Sequence, residues 1–284
     1  MTASEIDVSR VADPEERARL RARRVAKIAS WTLPVLVAVG MIGLWHWYVV
    51  TFEVPHYLLP PPSDVIDELI KEWGSLSVSW GITARVAAYA LLLAVVGGVV
   101  LGVLFSLSRY VEMSIYPYAV ILQVTPVISI APLIIIYIDD PFTAQLFCAW
   151  IVAFFPILSS TTVGLASADH NLRDLMTIYG ASRWQQLRYL KLPGALPYFL
   201  NGLRIAGGLS LIGAVVAEFA IGAGGRASGL AMRISEAGFR LQTDRLFAAL
   251  LLIMVTGIFV YLATSLLTHL LLRKWHESAV RREA

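Results

Sequence analysis

The chain has 284 residues, of which 57% are hydrophobic and only 15% charged, and its net charge is +3. A soluble domain carries about 25% charged residues and cannot bury this much apolar surface at this size. The composition therefore excludes an ordinary soluble globular protein and predicts an integral membrane protein whose solvent is largely lipid.

Long apolar runs recur along the chain and predict an all-α architecture. A helix needs about 20 apolar residues to cross the bilayer core. Proline interrupts the third run at Pro126 and Pro132, and we expect the helix to be broken there. Six transmembrane helices are predicted, at about 31–50, 82–107, 115–137, 143–163, 196–221 and 247–271.

Basic residues are unevenly distributed between the predicted loops, and this bias gives the orientation of the spans. Arginine and lysine are frequent before the first span, in the loop 164–195 and after the last span. Short loops rich in these residues lie in the cytoplasm. We therefore expect cytoplasmic N- and C-termini, with Arg85 and Arg204 left at span edges. The predicted regions are a basic amphipathic tail against the inner leaflet at 1–30, a transmembrane domain at 31–272 and a second tail at 273–284.

Residues that carry chemistry in enzymes are sparse and scattered. Cys148, the single cysteine, lies in an apolar run without a visible base, and we expect it to be structural. The five histidines lack the spacing of metal ligands. The chain also lacks a Gly-x4-Gly-Lys-Ser/Thr phosphate loop. We predict no catalytic residue, no metal site, no cofactor in this chain and no nucleic-acid partner.

The loop 164–195 is long and patterned. Its first half predicts a short helix with one apolar face, because the large side chains recur at i, i+3, i+4 and i+7. These are Leu172, Leu175, Met176 and Tyr179. Such a face can dock into the groove of a partner protein, or it can pack back onto the chain's own membrane helices. Periodicity alone leaves both possibilities open.

Helix-end signals divide this loop into two helices. Asn171 is a plausible N-cap of the first helix, and Gly180 occupies the position just after its end. Ser182 and Gln185 then form a capping box. The second helix is expected to run to about residue 191, where Pro193 ends it.

The same loop resembles the EAA loop of permease subunits of ATP-binding-cassette (ABC) importers. That pattern is Glu-Ala-Ala, three residues, Gly, nine residues and Ile-x-Leu-Pro. The chain keeps the spacing as Asp174-Leu175-Met176, Gly180 and Leu190-Lys191-Leu192-Pro193. It departs from the pattern in having Asp174 for Glu, Leu175 and Met176 for the two alanines, and Leu190 for Ile.

Further segments resemble the nitrate, sulfonate and taurine branch of these permeases. They are Leu59-Pro60-Pro61-Pro62-Ser63, Thr125-Pro126 with Pro132-Leu133, Gly202-Leu203-Arg204 and Val216-Ala217-Glu218. One departure is Tyr137-Ile138-Asp139-Asp140, where an aromatic-Gly pair is expected. The resemblance covers about residues 55–272.

The resemblance implies a type I ABC importer permease in the inner membrane of a bacterium. Two permease chains would form the translocation pathway, two ATPase subunits would bind ATP and Mg²⁺, and a periplasmic binding protein would deliver the solute. That solute would be a sulfonate-, taurine- or nitrate-like anion or a heterocycle like a thiamine precursor. ATPase coupling would involve Asp174, Leu175, Met176, Tyr179, Gly180, Leu192 and Pro193.

Polar residues within the spans are candidates for the translocation pathway. Glu218 is the one carboxylate placed well inside a predicted span, which makes it a functional-site candidate. In one interpretation it lines the pathway or a gate. In the other it forms a structural ion pair, and of the two candidate partners Arg226 is nearer in sequence than Arg204. The remaining candidates are Gln123, Thr125, Ser129, Ser159 and Ser160. Hydroxyl groups of this kind also bond to their own or a neighbouring helix.

Three other classes of protein are alternatives, of which a purely structural scaffold would not need the patterned loop. A secondary transporter driven by an ion gradient often has inverted repeats and paired intramembrane charges, which are not visible in this sequence. A membrane enzyme needs clustered His, Asp or Cys residues. Asp139-Asp140 is the one carboxylate pair considered, and it lies in a predicted tight turn, where Asp is common.

Overall fold

The computed structural model of the protein describes residues 14–222 and 228–272. Helices make up nearly all of this part of the chain, and it contains no strand. The chain divides into two compact units, Met1–Ile66 and Asp67–Ala284.

The first unit is dominated by one long helix, α1 (Pro14–Thr51). Its apolar portion, Ile28–Thr51, is long enough to cross a membrane and includes the predicted first span. The helix continues from residue 14 through that span, so the described end of the predicted tail and the span belong to one element. After α1, His56 Nδ1 lies 3.0 Å from Asp64 Oδ2.

Further helices follow α1 along the chain. They are α2 (Pro62–Lys71), α3 (Trp73–Leu107), α4 (Arg109–Val124), α5 (Val127–Tyr137), α6 (Pro141–Ala166), α7 (His170–Ile178), α8 (Arg183–Gln186), a π-helical turn (Leu187–Lys191), α9 (Leu192–Ile221), α10 (Leu230–Phe239) and α11 (Thr243–Leu272). Five helical stretches of the described chain are long and apolar enough to span a membrane, and α4 with α5 makes a sixth when counted as one bent span.

The third predicted span, 115–137, is therefore not a single straight helix. The chain bends by 105° between α4 and α5. Pro126 has no N–H to continue the helix and restricts the residue before it, so Thr125 takes an extended conformation (φ −72°, ψ 122°). A break at Pro132 was also expected, but this residue lies inside α5. Membrane helices tolerate such prolines when neighbouring groups satisfy the backbone.

Close contacts between α3, α6 and α9 form the centre of the second unit. A Cβ atom at Gly98 would lie 2.7 Å from Ile157 Cγ2, and one at Gly102 would lie 2.7 Å from Thr161 Cγ2. The absence of side chains on these two residues allows α3 and α6 to pack at close range, as in other small-residue motifs of membrane helices. Cys148 is fully buried in the neighbouring cluster around Ala144 and Ala217.

Candidate functional site

The loop between α6 and α9 begins with helix α7, whose N-cap is Asp169. The carboxylate of Asp169 accepts hydrogen bonds from the backbone N–H groups of Asn171, at 2.7 Å, and Leu172, at 3.4 Å. The prediction of Asn171 as the N-cap was therefore wrong by two residues. Asn171 already lies within the helix, where its own N–H needs a partner.

Gly180 ends this helix in the predicted position, with a left-handed φ of +75°. Its N–H donates to Thr177 O at 3.0 Å, and the N–H of Ala181 donates to Met176 O at 2.9 Å. These two bonds form a Schellman motif, which satisfies the last carbonyl groups of a helix. The end of α7 is therefore held by backbone bonds that depend on a positive φ at one residue.

Helix α8 follows at once and is fixed by the predicted capping box. Ser182 Oγ accepts from Gln185 N–H at 3.3 Å, while Ser182 N–H donates to Gln185 Oε1 at 2.7 Å. Gln186 Nε2 donates to Thr177 Oγ1 at 3.1 Å and thus connects α8 to α7. The two short helices are joined by hydrogen bonds on both sides of Gly180.

Pro193 does not end the second helix, contrary to the prediction. The chain passes from α8 through the π-helical turn into α9 without leaving helical conformation. Leu192 N–H donates to Leu187 O, five residues back. Pro193 lies at the start of α9, directly after the π-helical turn. The wider turn has a different hydrogen-bond pattern, so the helix tolerates the missing N–H and the ring of the proline there.

The apolar face of α7 is not covered by the rest of the described chain. Leu172 and Leu175 are each 48% exposed, and Tyr179 is 83% exposed. Met176 is half-buried, and no residue of α7 is fully buried. Periodicity left open whether this face docks into a partner or packs onto the chain's own membrane helices. In the described part of the chain it does not pack onto those helices. Asp174, Leu192 and Pro193 are also exposed or half-buried.

Gln123 and Thr125 line a cavity of about 230 Å³ between the four helices α4, α5, α6 and α9. Pro156 of α6 and Leu209 of α9 form its other walls. The remaining hydroxyl candidates lie elsewhere: Ser129 is exposed on α5, and Ser159 and Ser160 are half-buried on α6. Thr125 Oγ1 donates to Ile121 O at 2.8 Å, a bond within its own helix. A pathway role for these residues stays a prediction.

Glu218 is fully buried at the end of α9, where it faces the first turn of α10. Its Oε2 accepts from the N–H of Ala231 at 2.9 Å, and Thr83 Oγ1 accepts from the N–H of Leu230 at 2.9 Å. A side chain on Gly229 would collide with the Glu218 carboxylate. Glu218 and Thr83 thus each satisfy one free N–H group at the start of α10, where a negative charge is also favourable. Arg226, the expected partner, lies outside the described residues.

A substitution distinguishes this structural contact from a pathway role. Glu218→Leu removes a buried acceptor from α10, and we expect it to lower the free energy of unfolding by about 1–3 kcal/mol. Glu218→Gln keeps an acceptor oxygen and should cost less. Thermal unfolding of the detergent-solubilised protein, followed by tryptophan fluorescence, measures both. Unchanged stability of the leucine variant together with impaired transport would instead favour the pathway role.

Arg204 lies on α9, which begins four residues before the predicted fifth span. It is twelve residues beyond Leu192, or about 18 Å along the helix axis. Its guanidinium carbon is 5.7 Å from the ring centroid of Tyr261 on α11, within range of a cation–π contact. Its Nε is buried with no hydrogen-bond partner in the described part of the chain. A cation on a candidate membrane-spanning helix, with a buried Nε that is unpaired among the described residues, is a functional candidate.

Polar contacts hold the outer elements against α3 at successive turns. Arg233 Nε of α10 donates to Ser79 Oγ at 3.0 Å. Arg245 of α11 lies 3.3 Å from the carboxylate of Glu72 and donates to Ser75 Oγ at 3.1 Å. With Thr83 these serines form a polar stripe along one face of α3, which positions α10 beside the end of α9.

Asp140, of the carboxylate pair in the predicted tight turn, caps helix α6. Its carboxylate accepts hydrogen bonds from the hydroxyl and the backbone N–H of Thr143. These bonds hold the pKa of Asp140 below its ordinary value, because they stabilise the ionised form. Asp140 therefore has a structural role as the N-cap of α6.

A family model matches residues 94–277 of the chain, under the description "Binding-protein-dependent transport system inner membrane component". This match includes α6, the α7–α8 loop and α9, so the geometry of the loop falls entirely within it. The chain belongs to this family of inner-membrane permease subunits, and its resemblance to ABC-importer permeases is confirmed.

Two relatives match over most of their length. The chain is 32% identical to the riboflavin transport system permease protein RibX of Chloroflexus aurantiacus, over 87% of this chain and 90% of the relative. It is 28% identical to the putative aliphatic sulfonates transport permease protein SsuC of Bacillus subtilis, over 88% and 89%.

A solved structure confirms the fold. The inward-facing structure of the MetNI methionine ABC transporter aligns with a TM-score of 0.62 at 17% identity, covering 70% of this chain and 97% of that one. At this identity the likeness establishes the architecture of the permease and not its solute.

Proposed function

We propose that α7 docks an ATPase subunit of the importer, with Leu175, Met176 and Tyr179 as its contact face. The observation that carries this proposal is the exposed apolar face of α7, which is fixed in orientation on both sides of Gly180. An amphipathic helix with its apolar face open to solvent fits a hydrophobic groove on a partner. Asp174 borders this face and is exposed, so it can pair with a basic residue of the groove.

Movement of the docked helix would reach the membrane helices through α8 and the π-helical turn. Leu192 and Pro193 stand where this turn joins α9, and the chain is helical throughout. Lys191 Nζ also donates to Ser106 Oγ at 3.0 Å, which connects the turn to the end of α3. Binding of ATP and Mg²⁺ by the ATPase subunits would thus be transmitted as rigid-body motion of α9 and α3.

Two copies of the chain would enclose the translocation pathway, and a periplasmic binding protein would deliver the solute. Ile205 and Ile212 of α9 are 49% and 57% exposed, and Gly208 between them has open space around it. This open face of α9 is suited to meet the second copy. We place Gln123, Thr125, Ser129, Ser159, Ser160 and Glu218 along or beside the pathway.

The solute is proposed to be a small anion or a flat heterocycle. The relatives named for aliphatic sulfonates and for riboflavin represent these two chemistries. Arg204 supports an anion, because it provides a positive charge within α9. Selection between solutes would rest mainly with the binding protein.

Purification of the tagged chain in mild detergent, with mass spectrometry of the co-purified proteins, tests the docking proposal. Wild type should recover an ATPase subunit, and Leu175→Asp with Met176→Asp should lose it, because two buried carboxylates oppose an apolar groove. Phe239→Asp with Leu241→Asp is the control, since it changes exposed apolar residues on α10 and just after it.

Each outcome of this purification is informative. Equal recovery of the ATPase with the α7 variant would refute docking through this face. Recovery of the chain alone in several mild detergents would instead favour a self-contained transporter, for which uptake driven by an ion gradient is the next measurement.

A further inference from the structure

A pocket of about 370 Å³ lies where α3 ends, α4 begins and α8 meets the π-helical turn. Its wall contains Ser108, Arg109, Arg183, Gln186 and Lys191, which we call the basic pocket. These elements belong to the side of the membrane that the distribution of basic residues places in the cytoplasm. Neither the apolar face of α7 nor the cavity at Gln123 contributes a residue to it.

The charge of the basic pocket is not balanced from within. No acidic residue forms part of its wall, and Arg109, Arg183 and Lys191 make no ion pair within the described parts of the chain. Arg109, Arg183 and Lys191 all line this one space, so three positive charges lie together. Like charges held together in a partly buried space favour the binding of an anion.

Hydrogen-bond donors and a helix end add to this preference. Lys191 Nζ is held in place by Ser106, with 3.0 Å to its hydroxyl oxygen and 3.3 Å to its carbonyl oxygen. Helix α4 starts in the wall at Arg109, so the positive end of its dipole lies there. Glu112 is in the first turn of α4 but is not part of the wall. Guanidinium, ammonium and hydroxyl groups together are suited to phosphate oxygens.

Tyr110 also lines the pocket, and other large exposed side chains lie near its wall residues in the sequence. Tyr110 is 84% exposed, Met113 65%, Trp184 60% and Tyr189 68%. Exposed aromatic residues beside basic ones are typical of the boundary between lipid headgroups and acyl chains. A ligand with a phosphate and long apolar chains would satisfy both surfaces at once. We infer that the basic pocket binds the phosphate headgroup of an anionic phospholipid from the cytoplasmic leaflet.

Native mass spectrometry of the full-length chain, delipidated in neutral detergent, tests this site. Phosphatidylglycerol and phosphatidylcholine are added in parallel, and wild type should retain the anionic lipid with about tenfold preference. The combined Arg109→Gln, Arg183→Gln and Lys191→Gln variant should lose the preference. The control removes three charges elsewhere, with Lys71→Gln, Arg85→Gln and Arg240→Gln, and should keep it.

The single variant Arg109→Gln guards against misfolding of the combined variant, since Arg109 is exposed at a helix start, and its preference should fall several-fold. Equal retention of both lipids by wild type would overturn the inference. So would retention of phosphatidylglycerol by the combined variant at the wild-type level. Competition by millimolar inorganic phosphate, without a requirement for acyl chains, would assign the pocket to free phosphate instead. Unchanged lipid binding with lost ATPase recovery would assign it to an acidic partner surface.

Discussion

Replacing Gly180 with valine is expected to abolish coupled transport while the chain is still inserted into the membrane at the wild-type level. The φ of +75° at this position costs a non-glycine residue about 1–2 kcal/mol, and a β-branched residue resists it more strongly. A Cβ there would meet nothing within 4 Å, so the effect comes from the backbone alone. Relaxation of φ would break the two bonds that end α7 and reorient its apolar face.

The measurement is ATP hydrolysis by the purified assembly, with and without its loaded binding protein, together with solute uptake. Gly194→Val is the matched control, because Gly194 also has open surroundings but a helical backbone. The control should respond to the binding protein as wild type does. A normal response by Gly180→Val would contradict the assignment of α7 as the coupling element.

Replacing Gly202 with alanine is expected to destabilise the membrane core severely. The new Cβ would lie 2.5 Å from Ser160 Cβ and 2.9 Å from the carbonyl oxygen of Pro156. The backbone of α6 cannot give way as a flexible side chain can, so α6 and α9 must separate. Overpacking of this kind costs about 1–3 kcal/mol or more.

Fluorescence-detected size-exclusion chromatography after heating the solubilised protein measures this loss. Gly194→Ala on the same helix is the control, since a Cβ there meets nothing within 4 Å. Alanine favours the helix over glycine by about 1 kcal/mol, so the control should be as stable as wild type or slightly more so. Similar thermal midpoints for the two variants would refute the close contact between α6 and α9.

Features that depend on neighbouring residues in the chain could be predicted from the sequence. Gly180 and the Ser182 capping box follow from local hydrogen bonding, and the bend at Pro126 follows from a missing N–H. The same local signals gave a wrong prediction where two nearby residues could each serve as the N-cap of one helix. Both Asp169 and Asn171 can cap a helix, and the structure selects the earlier one.

Contacts between distant residues could not be predicted in this way. Glu218 meets the start of α10 because Gly229 leaves room for its carboxylate, a fit that no spacing pattern contains. The basic pocket likewise combines residues from well-separated parts of the membrane domain sequence.

The π-helical turn has a consequence for variation in the length of the loop. Successive residues of an α-helix are rotated by about 100° around the helix axis. Inserting or deleting one residue between α7 and α9 would therefore rotate α7 by about this angle around the axis of α9. The wide turn at Leu187–Lys191 holds such an additional residue. The number of residues between Gly180 and Pro193 thus sets the direction in which the apolar face of α7 points relative to α9. We expect homologous loops to vary in the side chains of this segment but not in its length.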